Sequence, residues 1–194
     1  MGESLNMKKQ IIFALVLSSV FLGSSQADEM SDLKAEGKVI IKKFFTQLKG
    51  TLMSANKAGG PTNAIDACNT EAPGIAITAS RYGWKVARTS LKIRNKDNAP
   101  DDWELKVLKQ FEARKAKGED PKNIAYAEIV KENGKRSFRM MKAIPTAKLC
   151  TTCHGANIKP AVVKMLDKHY PQDKARGFSE GDIRGAFTLK KALF

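Results

Sequence analysis

Between Asp28 and Lys57 apolar residues return at every fourth position. Ile40, Phe44, Leu48 and Leu52 form the stripe, with Ile41 and Phe45 beside them and lysines on the opposite face. That period predicts one long amphipathic helix. Ala58-Gly59-Gly60-Pro61 ends it, by the usual glycine and proline stop signals. Thr62 to Asn69 reads as a short helix, and Ile75 to Tyr82 adds another helical turn or two after Pro73-Gly74. From Trp84 to Ile93 the period drops to two, the signature of a strand. Trp84, Val86, Arg88, Ser90 and Lys92 share one side of it, so that strand is expected to turn a face to something charged. Arg94 to Pro100 is a loop. Asp101, with Glu104 three residues on, is a capping box opening a helix to about Lys117, whose stripe is Trp103, Val107, Leu108 and Phe111.

Ile124–Val130 and Ser137–Ile144 read as strands joined through Asn133-Gly134, a strong hairpin-turn signal. Pro160–Tyr170 is a short helix carrying Val162, Val163, Met165 and Leu166; Pro171–Gly181 is a turn-rich loop; Ile183–Leu193 closes with a strand. Few strands with helices outside them predict an α+β domain built on an antiparallel sheet, with a long N-terminal helix. There is no internal repeat, and Gly134-Lys135 is no phosphate loop, because Ile129 stands where its first glycine belongs.

The segment ahead of Asp28 has a different pattern. Lys8-Lys9 precede an apolar run from Ile11 to Leu22, broken only by Ser18-Ser19, and Ser25-Gln26-Ala27 is a small-x-small cleavage site. This is the layout of a secretory signal peptide over residues 1–27, with Met7 as the expected start, leaving 28–194 as a single domain. The run is shorter than the roughly 20 apolar residues that a spanning helix needs, which weighs against an uncleaved anchor. The expected location is therefore the periplasm. Export changes the meaning of the charge. Thirty-four Lys and Arg against 20 Asp and Glu, net +14, often signal nucleic acid, but an exported chain rarely meets any. An acidic redox partner, a membrane-bound signalling protein, or weak attraction to an anionic membrane surface fit better. A simple solvated basic surface is the first expectation all the same, since the cations are spread through the chain and not blocked together.

Export also makes three cysteines an odd count. Two of them stand in Cys150-Thr151-Thr152-Cys153-His154, the c-type haem attachment pattern. The spacing suits the chemistry: each sulfur adds across one porphyrin vinyl group, and the next residue's imidazole takes the iron from below. A redox dithiol needs no histidine there. A zinc site would want a second ligand pair elsewhere, and a plain disulfide or a chance match remains. The reading implies one covalently attached haem c. For the sixth iron position the residues leave several candidates: His169, Met140, Met141, Met165, the lone Cys68, or none. Arg88, Arg94 and Arg184 are candidates for the field around such a centre, or for pairing with the haem propionates.

Four stretches together are similar to the family of PAS-like c-type haem domains, known as small exported proteins and as extracytoplasmic parts of signalling proteins. They are Ala67-Cys68-Asn69 with Ala72-Pro73 and Ile75-Ala76; Arg88-Thr89-Ser90 with Arg94-Asn95, Asn98, Pro100 and Trp103-Glu104; Cys150 to Gly155; and Tyr170-Pro171 with Gly177 and Gly181 to Ala186. The resemblance implies a PAS-like sheet holding haem and a cysteine on the early short segment, here Cys68, as the sixth ligand. A thiolate there would stabilise ferric iron. Three functions are weighed: a one-electron redox protein, a haem-based redox or gas sensor working with a separate partner, and a peroxidase-like enzyme. The last wants an open iron position and a distal acid–base group. His169 is the sole spare histidine, so no enzymatic activity is expected.

Overall fold

The computed structural model describes residues 25–194, so the expected signal segment lies outside the described residues except for Ser25 to Ala27, which open the first helix. The order is α1 (Ser25–Thr70), α2 (Ala72–Ala79), β1 (Trp84–Thr89), α3 (Asp102–Ala116), β2 (Ala125–Glu132), β3 (Lys135–Pro145), α4 (Thr151–His154), α5 (Pro160–His169) and β4 (Ile183–Leu193). Short 3-10 turns cover Lys96–Asn98 and Lys148–Cys150. The fold is α+β, as the sequence predicts. Its four strands form one antiparallel sheet in the order β1-β4-β3-β2.

α1 is two helical arms. At Gly59 (φ −151°) and Gly60 (φ 74°, ψ −169°) the backbone leaves the helix, and Pro61 restarts it. The Asn63 side-chain amide donates to the Ala55 carbonyl at 2.9 Å and bridges the bend. The expected stop at Ala58 to Pro61 is thus a kink, and the short helix beyond it is the far arm carrying Cys68.

Alternation along β3 explains how the two faces fill. Phe138 and Met140 point to one side, where they meet Leu33, Ile41 and Phe44 of α1 together with Trp84, Val86, Phe187 and Leu189. Met141 and Ala143 point to the other, against Val107, Leu108 and Phe111 of α3 and against Ile124, Ile183 and Ala186. The buried seam of α1 is therefore rotated slightly from the expected stripe. Ile41 and Phe44 are in the core, and Phe45 stays exposed.

The α3 side also buries charge. Arg139 lies 4.3 Å above the Trp103 ring and donates to Asp101 at 2.6 Å. Asp101 also caps α3, accepting from the Glu104 amide at 2.8 Å. Glu104 completes the capping box and accepts the Thr188 hydroxyl proton at 2.6 Å.

The hairpin β2–β3 turns on Asn133 (φ 51°) and Gly134 (φ 77°), the paired positive φ values of a type I′ turn. β1 stops at Thr89, short of the expected Ile93. There the Ser90 hydroxyl accepts from the Lys92 amide at 3.1 Å and donates to the Arg184 carbonyl at 2.8 Å, which bends the chain off the ladder. At the same end of the sheet a bulge at Ile144/Pro145 interrupts the β3–β4 register. A third apolar cluster forms beyond that end. Ile65 of the far arm of α1 packs on Val162 and Leu166 of α5, with Cys153, Ile158, Met165 and Tyr170 around them.

Candidate functional site

The Cys150–His154 turn sits between the third cluster and the bulged end of the sheet. Cys150 closes one 3-10 turn and leads into α4, and the Thr151 hydroxyl donates to the Lys148 carbonyl at 2.7 Å. The helical turn places Cys150 and Cys153, three residues apart, on one side of the chain. Two backbone bonds fasten the following loop to it: Phe178 N to the His154 carbonyl at 2.9 Å and Gly177 N to the Gly155 carbonyl at 3.0 Å. All three cysteines are free thiols.

The His154 imidazole is oriented by the chain. Its Nδ1 lies 2.8 Å from the Ala175 carbonyl, which can only accept, so Nδ1 carries the proton. Arg184 Nε also stands 3.0 Å from Nδ1, but that nitrogen cannot accept while it donates. The shorter carbonyl contact decides the tautomer. Nε2 is then left with its lone pair, with Arg184 Nε and Arg94 Nη1 each 3.4 Å away. Burial holds the imidazole well below its usual range; the Arg184 and Arg94 charges push the same way, and the Ala175 carbonyl only partly offsets them. A neutral imidazole with one nitrogen anchored to a carbonyl is the state that binds a metal.

The three arginines expected near this centre all reach it, with different duties. Arg94 is a clamp. It grips Asp173 with Nε and Nη2 at 3.1 and 3.2 Å, and Nη2 also donates to the Cys153 carbonyl at 2.5 Å and the Ala175 carbonyl at 3.2 Å. Asp173 is 1 % exposed and also accepts from Arg176 Nε and the Ala175 amide, at 2.9 and 2.8 Å. Arg184 has no carboxylate partner among the described residues. It donates to Ser90 Oγ at 3.1 Å and the Lys92 carbonyl at 3.2 Å, and stacks 5.3 Å from the Phe178 ring centre. Burial, reinforced by Arg94 and Arg88, lowers its pKa to about 9. Arg88, on β1, is likewise lowered by burial, while Cys68 and Tyr170 oppose that by their charge.

Cys68 faces this cluster from the far arm of α1. Burial raises its thiol, and Arg88 and Arg94 pull the other way. The Cys153 thiol is also raised by burial, against Arg94, and feels Cys68 and Cys150. The structure thus brings together Cys68, Cys150, Cys153, His154, Arg88, Arg94 and Arg184. His169 is directed elsewhere: its Nε2 is 2.5 Å from Asp66 Oδ1, a link between α5 and the far arm. Met140 and Met141 fill the two sheet cores, and Met165 packs in the third cluster. Among the described residues no three His, Cys, Asp or Glu side chains stand close enough to hold a metal ion by themselves, so the three cysteines and His154 border one region without converging on a point.

Sequence reasoning missed Asp173 and the Ala175 carbonyl, and it placed Ser90 on the charged face of the strand without a role of its own. Asp173 lies in a turn-rich loop where an aspartate is unremarkable, and a backbone carbonyl carries no sequence signal. Gly185 does carry one. A Cβ there would overlap the Thr89 carbonyl oxygen and come within 3.0 Å of Ser90 Cβ, so only glycine lets β4 start this close to the end of β1.

No curated protein matches the chain. A solved structure described as the crystal structure of the cyanobacterial heme-protein Tll0287 matches with a TM-score of 0.58 and 26% identity, over 83% of this chain and 96% of that one. The match agrees with the resemblance to PAS-like haem domains drawn from the four sequence stretches. The Tll0287-like family model spans residues 23–191, and the chain belongs to that family.

Proposed function

We propose that this chain is an exported c-type haem protein that handles single electrons. One observation carries the reading: a Cys-x-x-Cys-His turn with a neutral, carbonyl-anchored imidazole shares a cluster of half-buried arginines with a third cysteine. The residues fit a haem on grounds of charge. Asp173 and Asp167 balance Arg94 and Arg176, but Arg88 and Arg184 have no carboxylate among the described residues. Cations withdrawn in part from water and left without anions are costly, and a dianionic group with a thiolate beside it would offset them. The fit agrees with what the similar cyanobacterial structure is described as, a heme-protein.

Haem, when bound, supplies a one-electron ferric–ferrous couple. Cys150 and Cys153 would hold it by thioether bonds. His154 would offer Nε2 to the iron, its ring fixed through Nδ1 by the Ala175 carbonyl. Cys68 would be the second iron ligand, with the Arg88 charge acting on its thiol. Arg184 would pair with a propionate. With His154 and Cys68 both on the iron, little would rearrange on reduction, which favours electron transfer over catalysis. The expected setting is the periplasm, with an acidic redox partner steered by the basic surface.

A second reading, a redox or gas sensor that signals through a separate membrane-bound partner, draws support from one feature. Cys68 rides on an arm hinged at Gly59-Gly60 and packed in its own cluster, so its sulfur can leave without disturbing the sheet.

The test is direct. Expressed with its signal segment in a host that matures c-type cytochromes, the protein should keep haem through denaturing electrophoresis, and its ferric form should be six-coordinate and low-spin by EPR. Haem that washes out on denaturation would sink the covalent reading. Prompt carbon monoxide binding by the ferrous protein would favour sensing, and its absence electron transfer.

A further inference from the structure

Next to Arg94 the surface carries a groove of about 400 Å³, lined by Ile93, Arg94, Lys96, Gln172 and Lys174. Its lining holds three cations and one amide, and no carboxylate. The two loops that form it are tied by the Lys174 amide donating to the Ile93 carbonyl at 2.9 Å, which brings Lys96 and Lys174 to one groove. Asp173 sits between Gln172 and Lys174, yet its carboxylate turns inward to Arg94, Arg176 and the Ala175 amide. Asp97, next to Lys96, is not part of the lining. Neither Lys96 nor Lys174 makes an ion pair among the described residues. With Arg94 matched by Asp173, the two lysines are the charge that the described residues leave unmatched in the groove.

We propose that this groove binds an oxyanion, a carboxylate or phosphate group, at the edge of the haem site. Lys96 and Lys174 supply the charge from opposite loops, and Gln172 supplies a further hydrogen bond. Arg94 is the inner wall, and its other face meets the Cys153 carbonyl at 2.5 Å and His154 Nε2 at 3.4 Å. An anion in the groove lies one side chain from the iron ligand, where its negative charge favours the ferric state. Its effect on the haem rests on the reading above, whereas the binding itself does not. Two sources could bring the group: a diffusible anion or partner carboxylate, or a propionate of the haem itself.

Isothermal titration of inorganic phosphate into the haem-loaded full chain at low ionic strength, paired with potentiometry, tests this. For a diffusible source, phosphate should bind saturably and lower the midpoint potential. Lys96→Gln and Lys174→Gln should each weaken binding about threefold, and together about tenfold, the scale of exposed ion pairs. Both lysines are exposed, so the substitutions leave the fold intact. For a propionate source, phosphate should give no saturable heat, but the double variant should shift the pH dependence of the potential. A double variant indistinguishable from the parent in both measurements would overturn the site. A chain carrying no haem would overturn the preceding reading, and the phosphate titration would still decide this one.

Discussion

Cys68 and Asp173 are the two side chains on which the centre turns, and they differ in how visible they are. Cys68 stands out in the sequence as the thiol left over once Cys150 and Cys153 are assigned to the Cys-x-x-Cys-His turn, and the fold places it where Arg88 and Arg94 act on it. With Cys68 on the iron as proposed, Cys68→Ala should convert the low-spin ferric spectrum to a different or mixed-spin one and raise the potential, because a charge-donating ligand that favours ferric iron would be gone. An unchanged spectrum and potential would remove Cys68 from the iron. Asp173 has no such signature, but its loss should be the more damaging to stability. Burial alone would raise its carboxyl; the hydrogen bonds from Arg94 and Arg176 outweigh this and leave it below its ordinary value. A carboxyl lowered on folding stabilises the fold above its unfolded pKa, and that contribution fades as pH falls through the folded value, here below about pH 4. Asp173→Asn should cost about 3 kcal/mol at neutral pH, as expected when a buried pair loses one member. It should also flatten the acid limb of the stability curve. Denaturant melts of the haem-loaded protein between pH 3 and 7, on the order of this acid window, read both effects.

At the scale of elements, what the sequence made legible was local. Period-four and period-two runs located the helices and strands, Asp101 and Glu104 fixed the start of α3, and Asn133-Gly134 fixed the hairpin. The placing of β4 between β1 and β3 was not legible, because such pairing depends on register between distant segments and leaves no mark on either one. The end of β1 was misjudged for a similar reason: Ser90 bends the chain through a bond to Arg184, on a strand far along the sequence. The kink in α1 was legible as a break, and its geometry makes a prediction. Gly60 has φ 74° and ψ −169°, a region that is essentially glycine's alone. Gly50, on the exposed straight arm, would meet nothing within 4 Å of an added Cβ. Gly60→Ala should therefore destabilise the protein by about 1–3 kcal/mol. Gly50→Ala should stabilise it by about 0.5–1 kcal/mol. If Cys68 is held by the hinged arm, only Gly60→Ala should also raise the high-spin fraction in EPR; equal spectra for the two variants would separate the hinge from the iron.

For the whole molecule the charge becomes a statement about rates. The net +14 is spread along the chain, and among the described residues Lys96 and Lys174 make no ion pair beside Arg94, within reach of the site that holds His154. A field of that sign raises the local concentration of anionic partners near the reacting group and is screened by salt over about 10 Å at 0.1 M. A neutral donor feels neither effect. Stopped-flow reduction of the ferric protein by a small anionic reductant should therefore slow severalfold between roughly 10 and 150 mM ionic strength, and reduction by an uncharged quinol should not. The contrast isolates electrostatic approach from any salt effect on the haem, which both reductants would share. In the Lys96→Gln/Lys174→Gln variant the salt dependence for the anionic donor should shrink if electrons enter beside the Arg94 groove. A variant with the parent's full salt dependence would place the entry point elsewhere on the basic surface and leave the groove to anion binding alone.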